Sequence, residues 1–163
     1  AQDGETLRTL LPDGVEHVAQ RHTGLEAALR EAFAYGFDRG HERVVLVDSD
    51  SPTLPLGILR DACTGLEDHD VTIGPSADGG YYLLGLREPH GELFDGIAWS
   101  THRVYEQTLD RAAGLKVRSL QEWYDVDTPE DLRRLEADLA HQPAGTALHT
   151  RAVMERLRLH ATG

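Results

Sequence analysis

Two aspartate pairs carry most of the chemistry that this sequence can offer. Asp48 and Asp50 sit in the run Val-Val-Leu-Val-Asp-Ser-Asp-Ser-Pro, and Asp125 and Asp127 in Tyr-Asp-Val-Asp-Thr-Pro-Glu-Asp-Leu. Carboxylate oxygens are hard ligands that suit Mg2+ or Mn2+, and Mg2+ takes one or two carboxylates while phosphates and waters complete its octahedron. The chemistry implied is the handling of phosphate or diphosphate, with a cation neutralising the charge that builds there. Each aspartate is equally a turn former or a helix cap when taken singly, and spacing alone leaves both readings open. A further acid, Asp78, lies in Ser-Ala-Asp-Gly-Gly-Tyr-Tyr. Asp-Gly is a strong hairpin signal, yet a carboxylate in a glycine loop can also approach a substrate hydroxyl, which makes Asp78 the candidate general base.

The elements that must position these residues read as alternating strands and helices. Residues 44–47 form an apolar, mostly β-branched run, expected to be a strand buried on both faces that delivers Asp48 and Asp50 to its carboxyl end. Residues 70–75, 81–86 and 117–120 read as further strands, with 81–86 running antiparallel, and residues 14–20 as a short one anchored by Val15 and Val18. Helices are expected at 24–37, opened by a Thr23/Glu26 capping box, after Thr53 as cap, at 101–113, and at 129–140 behind Thr128 and Pro129. Leu132, Leu135 and Leu139 supply the buried stripe of that last helix. This order predicts an α/β fold with a mostly parallel sheet flanked by helices, in which ligands sit beyond the carboxyl ends of the strands. Residues 1–140 form the domain, and residues 141–163 a linker and a basic amphipathic helix from 151 to 160 that packs on the domain or on a partner.

Composition narrows the partners. A length of 163 residues fits one domain with a real core, and a net charge of -12 repels nucleic acid and anionic membranes. It still admits a phosphorylated small molecule bridged by divalent cations. No apolar run is long enough to cross a bilayer, and residues 1–11 lack the features of a signal peptide, so a cytoplasmic protein is expected. Cys63 is the single cysteine, expected to face inward from its helix beside Leu59, Ala62 and Leu66. His17 and His22 have no cysteine pair to complete a zinc site, and no Gly-x-Ser-x-Gly elbow supports a serine hydrolase.

Four motifs in order carry a family resemblance: residues 44–55, the Gly-Pro-Ser-Ala-Asp-Gly-Gly-Tyr-Tyr-Leu-Leu-Gly-Leu run of 74–86, Trp99-Ser100-Thr101, and Asp125-Val126-Asp127-Thr128-Pro129-Glu130-Asp131-Leu132. Over residues 15–139 the chain resembles a bacterial family of GT-A-type glycosyltransferases within the nucleotide-diphospho-sugar transferases. It is more distantly similar to the guanylyltransferases of molybdenum cofactor and phospholactate. The resemblance implies a Rossmann-like GT-A fold, a nucleotide-sugar or nucleotide substrate and a divalent cation. It places Asp50, with Asp48 as partner, and Asp127 or Asp125 on that cation. It places Asp78, Gly79, Gly80 and Tyr81 near the sugar or acceptor, and Trp99 on a sugar face or in the core.

The front departs from the pattern. The family begins with a strand and a loop rich in glycine and basic residues that holds the nucleotide, and nothing in this sequence matches it. The chain opens at Ala1 and its one methionine is Met154. Either about 60 further residues are expected upstream, completing a typical α/β domain, or the nucleotide is not bound in the usual way. Without that βα unit the flank of a central strand is exposed, and a homodimer across this edge is expected. Three readings follow: a metal-dependent sugar transferase, a nucleotidyltransferase acting on a phosphorylated small molecule, and a noncatalytic assembly module that keeps the fold.

Overall fold

The computed structural model describes residues 11–161. Four strands form one sheet in the order β1-β3-β2-β4, comprising β1 (Val44–Val47), β2 (Val71–Pro75), β3 (Tyr81–Leu86) and β4 (Val117–Ser119). β3 runs antiparallel to both β1 and β2, while β4 runs parallel to β2. Three strands therefore point one way, and β3 is the reversed one, as the apolar run after the Asp-Gly-Gly turn predicts. The carboxyl ends of β1, β2 and β4 share one edge of the sheet with the amino end of β3.

Helices cover both faces. On one, α1 (Leu25–Asp38) and α3 (Val104–Arg111) pack with a short 3-10 turn (Gly91–Phe94) over Val71, Ile73, Leu84 and Leu86. On the other, α2 (Leu56–Gly65) sets Ile58 and Ala62 against Tyr82 and Leu83. The strands between them have apolar side chains on both faces because both are covered. Val44 and Leu46 of β1 face the first cluster and Val45 the second, but Val47 stays 43% exposed, so burial of β1 is less complete than its composition predicts. Among the described residues, β1 pairs with β3 alone.

Local signals and tertiary packing disagree at several points. Residues 14–20 form no strand. The Thr23/Glu26 capping box does not form: the N-cap of α1 is Gly24, at φ 98°, and Glu26 instead accepts from the Arg30 guanidinium one turn on. Thr53 does not cap α2, whose N-cap is Pro55; it is buried, with Oγ1 3.3 Å from the Tyr124 hydroxyl. Cys63 is exposed, because α2 turns the stripe of Ile58, Ala62 and Gly65 to the sheet and the stripe containing Cys63 to solvent.

The C-terminal helices are α4 (Pro129–His141) and α5 (Leu148–Ala161). They share a small cluster of Leu135, Leu139 and Met154, closed by Val126 and Ala147, whereas Leu132 is 36% exposed. The Arg151 guanidinium donates to the carbonyls of Leu139, Gln142, Pro143 and Thr146, satisfying the orphan acceptors at the end of α4 and in the turn that follows. The capping box predicted for α4 is present, with the Asp131 N–H donating to Thr128 Oγ1 and the Thr128 N–H donating to Asp131 Oδ2. Thr128→Ala is expected to cost about 1 kcal/mol, measured by urea denaturation.

Candidate active site at the carboxyl edge of the sheet

Backbone pairing beyond the strand ends builds the site. The Asp48 N–H donates to the Tyr82 carbonyl at 2.9 Å, carrying β1 one residue further along β3. On the other side the chain after β4 continues along β2: the N–H groups of Leu120 and Trp123 donate to the carbonyls of Ile73 and Pro75, and the Ala77 N–H to that of Trp123. This ladder brings Asp125 to the end of β2, where the Ser76 hydroxyl donates to Asp125 Oδ1 at 3.1 Å. The loop after β1 is fastened to the same segment. The Val126 N–H donates to the Asp50 carbonyl at 3.1 Å, and the Ser51 hydroxyl lies 3.0 Å from Asp48 Oδ2 and 3.1 Å from the Tyr124 carbonyl. Residues 75 positions apart in sequence thus share one edge.

The electrostatics follow from this crowding. Burial, with the facing carboxylates of Asp50 and Asp125, pushes the Asp48 carboxyl up to about 7 against the opposing effect of the Ser51 hydroxyl. Asp127 is raised chiefly by the charge of Asp125, with further contributions from burial, Asp50, Asp78 and Asp131. The five aspartates 48, 50, 78, 125 and 127 thus form one field of like charge. Asp48 Oδ1 is buried and has no hydrogen-bond partner. An orphaned carboxylate oxygen facing other carboxylates suits a cation, since a cation removes both the missing contact and the repulsion. Among the described residues, no three Asp, Glu, His or Cys side chains are gathered closely enough to hold a metal unaided. An ion placed here would have to complete its shell with waters or phosphate oxygens, as Mg2+ does.

The sequence of residues 1–101 matches the family described as "Uncharacterized protein conserved in bacteria (DUF2064)". The chain belongs to that family. It is similar to a solved structure from Desulfovibrio desulfuricans G20, provisionally named a nucleotide-diphospho-sugar transferase, with a TM-score of 0.83 at 33% identity over 95% of this chain and 70% of that one. The GT-A-like α/β fold is thereby shown. It is also 27% identical over 124 residues to the 2-phospho-L-lactate guanylyltransferase of Methanocaldococcus sp. (strain FS406-22), a match covering 72% of this chain. The chain spans about half the length of that curated relative, 51%.

In this DUF2064 chain, the glycine loop of residues 76–80 is a tight hairpin. The Ser76 N–H donates to the Gly80 carbonyl, the Gly79 N–H to the Ser76 carbonyl, and the Gly80 N–H to Asp78 Oδ1 at 2.8 Å. One oxygen of Asp78 is thus committed to its own turn. Gly79 and Gly80 border the edge, but the ring of Tyr81 does not point toward the aspartates. A β-bulge where Pro75 pairs with Tyr81 leaves Tyr82 as the extra residue, which sends the Tyr81 ring into the cluster beneath α3. Trp99 likewise packs on that cluster, stacked on Phe94 at 6.4 Å with Nε1 3.4 Å from Glu26. Ser100 after it has φ 61°. Ser100→Gly is therefore expected to stabilise the protein by about 0.5–1 kcal/mol, read from a thermal melt.

Sequence reasoning missed Tyr124 and the two serines. Tyr124 is 2% exposed, its hydroxyl donates to Asp138 of α4 at 2.6 Å, and the Arg134 guanidinium lies 3.9 Å over its ring. It ties α4 to the loop after β1. Its position directly before Asp125 is the one signal that could have marked it. A groove of about 960 Å3 lies elsewhere, between residues 18–22, α1 and Leu46, and contains none of these aspartates. No helix is long and apolar enough to cross a membrane among the described residues.

Proposed function

We propose that this chain carries the carboxylate-bearing part of a metal-dependent transferase whose donor is a nucleotide-diphospho-sugar. The observation that carries the reading is the convergence of the loops after β1, β2 and β4 on one edge, with the buried Asp48 Oδ1 unpartnered among neighbouring carboxylates. The Desulfovibrio chain supports the donor class. Two of Asp48, Asp50, Asp125 and Asp127 would hold Mg2+ or Mn2+, with waters and phosphate oxygens completing the shell. When bound, such a cation neutralises charge on a diphosphate leaving group. The chain's one lysine, Lys116, precedes β4 at the opposite edge.

The remaining residues position and exchange protons. Asp78 Oδ1 is held by the Gly80 N–H, which leaves Oδ2 to accept a proton from an acceptor hydroxyl. Gly79 and Gly80 present backbone on the acceptor side, the Tyr81 backbone continues that wall, and the partly exposed Trp99 flanks it through the 97–102 loop. Calorimetry with Mn2+ and uridine or guanosine diphosphate sugars on the wild type and Asp50→Asn tests the reading. Binding by the wild type and its loss in the variant are expected, and equal binding by both proteins overturns the assignment.

The guanylyltransferase relative favours a second reading, nucleotidyl transfer onto a phosphorylated small molecule, on the same fold. Release of pyrophosphate from a nucleoside triphosphate separates the two.

A further inference from the structure

We infer that the outer edge of β1 docks a second copy of this chain, the two β1 strands pairing antiparallel about a two-fold axis at Leu46. The ladder to β3 sets which backbone groups are left over. The Asp48 N–H donates to the Tyr82 carbonyl, and the register aligns Leu46 with Leu84 and Val44 with Leu86, so residues 44, 46 and 48 turn their N–H and C=O groups toward β3. Val45 and Val47 turn theirs outward, and among the described residues β1 pairs with no other strand. Bare edges are commonly guarded by charged side chains or proline. The run Val-Val-Leu-Val has neither, and Val47 is 43% exposed.

One register answers this edge with itself. A joined sheet keeps its two faces only when residues from the same face stand opposite each other, and Val44 and Leu46 face one core cluster while Val45 faces the other. With Leu46 opposite Leu46 of the second copy, Val45 stands opposite Val47 and Val47 opposite Val45. Each of these two pairs exchanges both of its bonds, so the outward N–H and C=O groups of both copies are all satisfied. A specific interface takes roughly 800 Å2 from each partner, far more than four residues of strand edge supply. The groove beside the edge, which Leu46 helps to line, supplies the rest. Its walls are apolar at Val18 and Ala32, and its charges cancel, Arg21 and Arg30 against Glu31 and Asp38, in a chain whose net charge is -12. An equally acidic second copy is therefore repelled least here, and each groove offers the other both signs. Antiparallel pairing sets the two candidate active sites at opposite edges of the joined sheet, and the pairing does not depend on the chemistry proposed for them.

Crosslinking and sedimentation test the pairing. Cys63 is exposed and is first replaced by Ser. In that background Leu46→Cys sets two thiols opposite each other in a non-hydrogen-bonded pair, with Cα atoms about 4.5 Å apart, within the reach of a disulfide. Oxidation with copper phenanthroline is expected to give a covalent dimer, whereas Val44→Cys, which stands opposite Asp48 of the second copy, is expected to stay uncrosslinked. Val47→Pro deletes an outward N–H and no bond to β3; it is expected to weaken the dimer at least about tenfold in sedimentation equilibrium, since two hydrogen bonds are lost. Thermal melts show which variants fold. If Leu46→Cys does not, a mixture of Val45→Cys and tagged Val47→Cys decides, with crosslinks expected between unlike chains only. A monomer at every concentration, open-ended assemblies, or crosslinking at residue 44 as readily as at residue 46 overturns the inference.

Discussion

Asp48→Asn is expected to make the metal-free protein more stable at pH 8 while removing its Mn2+ binding. The folded-state value of this carboxyl, about 7, lies above its ordinary 3.8. Between those two values the folded protein keeps a proton that the unfolded chain releases, so stability falls as pH rises through this window. Below about pH 4 the carboxyl is neutral in both states and costs nothing; above pH 7 the full cost is present. The whole difference would correspond to about 4 kcal/mol, but the side chain is partly open to water, and screening reduces the expected gain to roughly 1–2 kcal/mol. An asparagine keeps an acceptor for Ser51 and turns a donor toward the neighbouring carboxylates. Urea unfolding at pH 4 and pH 8 in a chelating buffer checks it: the variant's advantage must appear at pH 8 and vanish at pH 4. The same advantage at both values would show that the ionised carboxylate is not the source. On the proposed reading, added Mn2+ is expected to oppose the effect, stabilising the wild type more as the pH rises, since a cation would bind the deprotonated form.

Gly79→Ala is expected to cost about 2–4 kcal/mol, combining left-handed backbone strain with overpacking. Gly79 has φ +91°, and a Cβ there would stand 2.1 Å from the His102 carbonyl oxygen, a backbone atom that cannot rotate aside. Its own carbonyl accepts the Tyr105 N–H at 2.9 Å, so relief by moving the loop would loosen the start of α3. Gly80→Ala is the matched control. Its Cβ would meet only the Asp78 side chain, at 3.2 Å, and its φ is not in the left-handed region, so less than about 1 kcal/mol is expected. Thermal denaturation of the two variants side by side is sufficient. Equal losses would mean that the contact with the 97–102 loop does not hold the hairpin in place.

The parts of the structure legible in the sequence are those governed by neighbours a few residues apart. Thr128, Pro129 and Asp131 close the start of α4 with groups three residues apart, and nothing distant competes for them. Thr23 and Glu26 have the same spacing, but Arg30 claims Glu26, and Asp95 in turn claims Arg30 from 65 residues away. In α2 almost every position is apolar or small, so periodicity admits two stripes, and only the sheet decides that Ala62 goes in and Cys63 out. The aspartate loops were readable because Asp-x-Asp after an apolar run signals a strand end. What anchors those loops was not, since Ser76 reaches Asp125 across 49 residues and Ser51, besides its contact with Asp48 three residues away, is tied to Tyr124 across 73. The direction of the Tyr81 ring was equally hidden, being set by a bulge in the pairing rather than by alternation along β3.

The run of backbone bonds from Leu120 through Val126 works as a ruler. Leu120, Trp123 and Val126 each donate to a fixed carbonyl, of Ile73, Pro75 and Asp50 in turn. One residue added or lost between 120 and 126 would slide Asp125 off Ser76 and Tyr124 off its loop together. At the other edge, the turn at 39–43 makes no backbone bond to a distant strand among the described residues, and those at 66–70, 87–90 and 112–116 are joined through the one residue Asp70, which bonds Lys116 and accepts from Arg87. Length variation among natural relatives should therefore accumulate in those turns and stop short of this one.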